Sequence, residues 1–292
     1  MAEKNLRLIF PDWQHGSNPS SGMVPRLLAM IAPQGANSET VEVREDDRSV
    51  EKNYNETMAA RATSLLPEED FSAIYDAAAR VLEEKQPTRI VSFATDGAAA
   101  LAPIDYLHGK YEDLGVLWLD VHRESVTPAR FWAKRTLIFG SVTRSPECKI
   151  SGLVKNPLDP SRFMFASTRA IEIPPSQKIQ IENESVHIAG PEILENDCND
   201  VLDWLKREGI THLAVHLDMD SLGSADIRSG IYREEVTLKT PTADFSHLRN
   251  LKDLLQRLEG KVDLVGFGVM EYQLLDAPEF KELISSLSIF KR

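Results

Sequence analysis

Short apolar runs alternate with amphipathic helical patterns along most of the 292 residues. That alternation marks repeated βα units built around a mostly parallel sheet, so an α/β fold is predicted. Runs at 6–10, 89–94, 116–119, 162–167, 186–188, 212–217 and 262–269 read as strands. Val116-Leu117-Trp118-Leu119 is continuously apolar rather than alternating, as expected of a central parallel strand covered on both faces. Residues 67–84 predict a helix, with Glu68, Glu69 and Asp70 at its start and Phe71, Ile74, Ala78, Val81 and Leu82 at helical spacing. Residues 193–207 predict another, and Phe245, Leu248, Leu251, Leu255 and Leu258 trace the apolar stripe of a third. The stretches 14–23, 38–55 and 223–242 read as loops. No repeat or long linker divides the chain, so one domain over 1–292 is expected.

Charge narrows the partners. With 33 Lys+Arg against 45 Asp+Glu the formal net charge is −12, which argues against sequence-independent binding to nucleic acid or to an anionic membrane surface. Cys148 and Cys198 are the only cysteines and lack CxxC spacing, so neither a disulfide framework nor a thiolate zinc site is read here. The N-terminal segment carries only a strand-length apolar run, and no apolar 20-mer follows, so a soluble cytoplasmic protein is expected.

The most informative pattern is positional. Four of the predicted strands lead into acids: Asp96 follows Ser92-Phe93-Ala94, Asp120 follows Trp118-Leu119, Asp218 follows His216-Leu217, and Glu271 follows Val269-Met270. In open α/β sheets ligands bind outside the carboxyl ends of the strands, so these acids are expected to converge. Asp120-Val121-His122-Arg123-Glu124 places three ligand-type side chains at alternate positions, and Asp218-Met219-Asp220 places two. Carboxylates gathered in a partly buried crevice repel one another and lose hydration, a cost a bound cation offsets. Carboxylate and imidazole donors without thiolate favour Mn²⁺, with Zn²⁺, Fe²⁺ and Mg²⁺ as alternatives. The competing reading is that Asp120 and Asp218 cap helices and His122 is a loop histidine.

Residues 116–124, Val-Leu-Trp-Leu-Asp-Val-His-Arg-Glu, are similar to a W-x-D-A-H-x-D motif. His216-Leu217-Asp218-Met219-Asp220-Ser221-Leu222 is similar to S-x-D-x-D-x-L-D-P, and residues 265–271 are similar to G-x-x-x-x-E. Those motifs, in that order, belong to the ureohydrolases, the group of arginase, agmatinase and formiminoglutamase. Asp159-Pro160-Ser161-Arg162 through Thr168-Arg169, then Gly190-Pro191-Glu192, resembles the central stretch of that group, so the resemblance spans about 89–271. Phe10-Pro11-Asp12-Trp13-Gln14-His15-Gly16 resembles its opening strand and loop more weakly.

The resemblance implies a three-layer αβα sandwich with a central eight-stranded, mostly parallel sheet. It also implies a manganese site that hydrolyses a small guanidino, amidino or formimino compound, and a homo-oligomer, trimer or hexamer. Asp120, His122, Asp218 and Asp220 match the ligands of one ion, and Glu271 matches the acid that contacts the cationic group of the substrate. The ligand set of the other ion departs from the family. Gly97 stands where the histidine of G-G-D-H belongs, Glu124 replaces an aspartate, and Gly223 and Ser224 replace the closing acid and proline of the second motif. Around 131–134 the family carries a histidine that this chain lacks. One or two Mn²⁺ ions are therefore expected, with His15, Asp96 and His108 as candidates to replace the missing imidazole. Two functions follow: a metal-dependent hydrolase of C–N bonds acting on a small cationic substrate, or a catalytically inactive ureohydrolase-like protein with a binding or oligomer-forming role. A nucleotide-binding reading is disfavoured, because neither GxGxxG nor GxxxxGK[ST] follows a strand.

Overall fold

A computed structural model describes residues 3–11, 23–44, 68–95, 97–119, 138–146, 148, 150–166, 185–194, 198–219, 246–270, 272 and 277–291. Its strands are β1 (Asn5–Ile9), β2 (Ser38–Glu42), β3 (Arg89–Phe93), β4 (Leu114–Leu119), β5 (Phe163–Ala166), β6 (His187–Ile188), β7 (His212–Asp218) and β8 (Asp263–Met270). They form one eight-stranded sheet in the order β2-β1-β3-β8-β7-β4-β5-β6. Every neighbouring pair is parallel, so the sheet is wholly rather than mostly parallel.

Helices cover both faces. On one side α1 (Val24–Ile31), α4 (Asn199–Arg207), α5 (Ser246–Glu259) and α6 (Ala277–Ser286) pack on the strand residues that include Phe93, Leu117, Leu119, Val215, Leu217, Phe267 and Val269. On the other, α2 (Glu68–Lys85) and α3 (Leu101–Lys110) pack on the alternate positions, among them Ile90, Val116, Trp118, Phe163, Ala214 and Met270. The two-residue period of a strand thus splits one apolar run into two cores, which is why β3 and β4 are buried at every position. The result is the three-layer αβα sandwich expected from the motifs.

One reading needs correction. Residues 38–55 were expected to be loop, yet Ser38–Glu42 is the edge strand β2, paired only with β1. An edge strand needs no continuous apolar face, so its sequence carries no hydrophobic alternation to read. Its acids are instead tied by ion pairs, Glu42 to Arg26 at 2.8 Å and Glu39 to Lys85 at 2.7 Å. Charge on an edge also discourages further strand pairing.

Helix α3 is held by Asp105, whose carboxylate is buried. It accepts a hydrogen bond from the Tyr75 hydroxyl of α2, from the backbone N–H of Asn156 at 2.6 Å and Lys155 at 3.1 Å, and from Asn156 Nδ2 at 3.2 Å. Burial, with the Asp105 hydrogen bond adding to it, pushes the Tyr75 hydroxyl well above its ordinary pKa, so it stays a donor.

Candidate functional site

Strands β3, β8, β7 and β4 are four consecutive neighbours at the middle of the sheet, although the chain visits them far apart in sequence. Because all run parallel, their carboxyl ends lie along one edge. Register aligns Phe93, Val269, Leu217 and Leu119 as a single row across them. The predicted acids come one to three residues after that row in sequence, at 96, 271, 218 and 120. Strand order alone therefore gathers the four strand ends that lead into acids.

Asp218 is the last residue of β7, only 7% exposed, with its Cα opposite Met270. A carboxylate so placed offers a hard oxygen donor at the rim of the sheet, the donor type that suits Mn²⁺ or Mg²⁺. Asp96, Asp120, His122, Glu124, Asp220 and Glu271 lie outside the described residues, as do His15, Gly223, Ser224 and 131–134. Among the described residues no group of three or more His, Cys, Asp or Glu is placed to hold a metal ion.

Below Asp218, two residues back on the same face of β7, is His216, 3% exposed. Its imidazole stacks flat on the indole of Trp118, with centroids 3.4 Å apart and 12° between the planes. Trp118 has the Phe163 ring as a further neighbour at 5.9 Å. Register places Trp118, His216, Gly268 and Ser92 side by side on β4, β7, β8 and β3. A Cβ at Gly268 would stand 3.0 Å from Met270 Cε and 4.0 Å from His216 Nδ1. A cavity of about 20 Å³ lies beside this row, lined by Ser92, His216, Gly266, Gly268 and Met270 among others. That is room for one water molecule.

Gly97 opens the 3₁₀ turn Gly97–Ala100 that leads into α3, and it is buried. A Cβ on it would stand 3.2 Å from Cζ2 and 3.4 Å from Cη2 of Trp118, and 3.3 Å from Cδ1 of Ile138. A side chain at 97 would therefore start out tight against Trp118 and Ile138. His108 does not supply the missing imidazole. It sits in the last turn of α3, where the chain has run back toward the start of β4, and its Nδ1 is 3.0 Å from the Asn156 carbonyl.

The opposite, amino edge of the sheet carries structural charge. Arg89 at the start of β3 pairs with Asp263 at 2.6 Å and Glu3 at 3.2 Å. Asp113 accepts from the Thr211 hydroxyl and pairs with His212 Nδ1 at 2.7 Å. Burial alone would raise the Asp113 carboxyl, but the Thr211 and His212 hydrogen bonds outweigh it and hold the pKa below its ordinary value.

Comparison with solved structures decides the fold. Arginase from Bacillus caldovelox superposes with a TM-score of 0.67 at 12% identity, covering 100% of this chain and 99% of its own. The chain has the arginase fold. Agmatine ureohydrolase of Thermoplasma volcanium gives a TM-score of 0.57 at 11% identity, covering 99% and 89%, and formimidoylglutamase from Bacillus subtilis gives 0.56 at 9%, covering 98% and 87%. No protein-family model matches the sequence, and no curated protein is similar to it in sequence. In this arginase fold the four strand ends that lead into acids are central neighbours. The contact that motif reading missed is the Trp118–His216 stack. Each residue stands two positions before an acid that closes a strand run, but only the β4–β7 register brings their rings together.

Proposed function

We propose that the protein is a metal-dependent hydrolase acting on a C–N bond of a small guanidino, amidino or formimino compound. The observation that carries this reading is the adjacency of β3, β8, β7 and β4, four parallel strands from distant parts of the chain that all lead into acids. In this reading Asp120, His122, Asp218 and Asp220 hold Mn²⁺, with Glu124 as a further ligand. When bound, the ion acts as a Lewis acid and lowers the pKa of water. Glu271 both binds the substrate and serves catalysis: its carboxylate accepts paired N–H bonds from a planar cation and so sets the angle at which the reacting carbon is presented. Asp218, the described member of that set, is buried at the carboxyl end of β7.

The same reading treats 1–292 as one domain, in the cytoplasm, assembling as a homotrimer or homohexamer. Among the described residues no helix is long and apolar enough to cross a membrane. The crowding at Gly97 favours a second reading, an inactive ureohydrolase-like protein that retains the fold for binding or assembly.

The test is metal content after purification in Mn²⁺, with urea, ammonia or formamide release from a panel of guanidino, amidino and formimino compounds. Turnover that is lost in Asp218→Ala supports the hydrolase. Bound metal without turnover on any compound favours the second reading, and absence of both metal and turnover removes the metal centre from the proposal.

A further inference from the structure

The corner of the site at Gly97 says more than that a ligand is missing. Trp118 belongs to the motif that this chain shares with the ureohydrolases, so its presence alone does not distinguish the protein. What differs is the residue packed against it: His216 stands where the matching motif has serine. The stack at 3.4 Å sets the plane of the indole, and its benzo edge lies in the volume next to Gly97. All three residues are buried, so none can yield by swinging into solvent. Van der Waals contact between carbons is optimal near 3.5–4.0 Å, so a Cβ at 3.2 Å is already tight, and a longer side chain at 97 is seated only if the indole or Ile138 gives way.

We infer that Gly97 and His216 are a coupled pair, in which the His216-held indole of Trp118 occupies the space a ligand at 97 would need, so that the chain accommodates one divalent cation and not two. This rests on the metal-dependent reading above for its cation, while the steric coupling stands without metal. Ile138 closes the same corner from the other side, at 3.3 Å from the Cβ position. Shortening His216 would open the space of its ring beside the existing cavity of about 20 Å³, and the indole could then recede from position 97. Gly268 stands in register beside His216, and a Cβ there would only touch the imidazole at 4.0 Å.

The experiment uses the full-length protein as wild type and as Gly97→Ala, Gly97→His, His216→Ser and the two double variants that combine them. Melting temperature is measured in chelator, and bound Mn²⁺ per chain is measured after equilibration and desalting. Gly97→Ala is expected to lower the melting temperature by about 3 °C as an overpacking change, and Gly97→His by more. In the His216→Ser background most of either loss should vanish. Wild type and Gly97→His should each bind no more than one ion, and Gly97→His/His216→Ser should bind one more than wild type. Equal losses in both backgrounds would overturn the coupling. A gain of an ion by Gly97→His alone, or none by a double variant whose melting temperature has recovered, would overturn its link to metal number. If wild type binds no Mn²⁺, the hydrolase reading and the ion count both fail. The chelator measurements then still decide whether Gly97 and His216 are coupled.

Discussion

Asp105→Ala should be the most damaging single change among the described polar residues of α3, and its cost can be worked from the hydrogen bonds. The carboxylate serves four donors: the Tyr75 hydroxyl, the backbone N–H of Lys155 and Asn156, and Asn156 Nδ2. Tyr75 is buried, so its hydroxyl loses its acceptor with little access to water. Lys155 is exposed and Asn156 half-buried, so the backbone there can recover part of its loss by hydration. Leaving a buried donor unsatisfied costs about 1–3 kcal/mol, which puts the total at roughly 3–5 kcal/mol once partial rehydration is allowed. For a chain of this length the unfolding entropy is about 0.6 kcal/mol/K, so the melting temperature should fall by about 5–8 °C. Tyr75→Phe should cost much less, about 1 kcal/mol, because the carboxylate keeps its other three donors. The assay is thermal and urea denaturation of both variants with circular dichroism. A melting temperature for Asp105→Ala within 1 °C of wild type, or a larger loss in Tyr75→Phe, would refute the claim that this carboxylate organises the contact between α2, α3 and the 155–156 segment.

Three further outcomes are expected. Asp113 has a folded pKa below its ordinary value, so its stabilising contribution is present above the ordinary carboxylate pKa and is lost as pH falls through the depressed one. Urea midpoints of Asp113→Asn and wild type should therefore differ at pH 7 and converge below about pH 4, and a gap that widens in acid would contradict this. Gly266→Ala places a Cβ 2.8 Å from Leu107 Cδ1 and 2.9 Å from Ala214 Cβ. It should destabilise by about 2 kcal/mol, read as a lower urea midpoint at unchanged slope. Saturating Mn²⁺ at about 100 times its dissociation constant adds about 2.7 kcal/mol of stability and raises the melting temperature by about 4 °C. Asp218→Ala should abolish that rise, and its persistence would remove Asp218 from the ligand set.

Much of the α/β architecture was legible because it rests on local pattern. β4 and β7 declare themselves as apolar runs, and α2 and α5 as periodic stripes, since burying a strand or a helix face demands those patterns. β2 is not legible in this way, because an edge strand with one neighbour is half-exposed and stabilised by ion pairs, which leave no periodicity. The short helix α3, Leu-Ala-Pro-Ile-Asp-Tyr-Leu-His-Gly-Lys, was equally hard to read, for it contains Pro103 and Gly109 and takes its anchoring from Asp105.

By itself, the sequence determined which residues could carry chemistry. Acids closing apolar runs, imidazole at ligand spacing and the glycine at 97 are facts of residue type and local order, and they need no coordinates. Tertiary structure alone decided that the four acid-closed strands are central neighbours, because strand order depends on crossovers spanning tens of residues. It alone also decided that Gly97 packs closely against the Trp118 indole and Ile138. Three residues separated by many turns of chain meet there, and whether an indole edge lies 3.2 Å from a Cβ position depends on register and packing that no local pattern encodes.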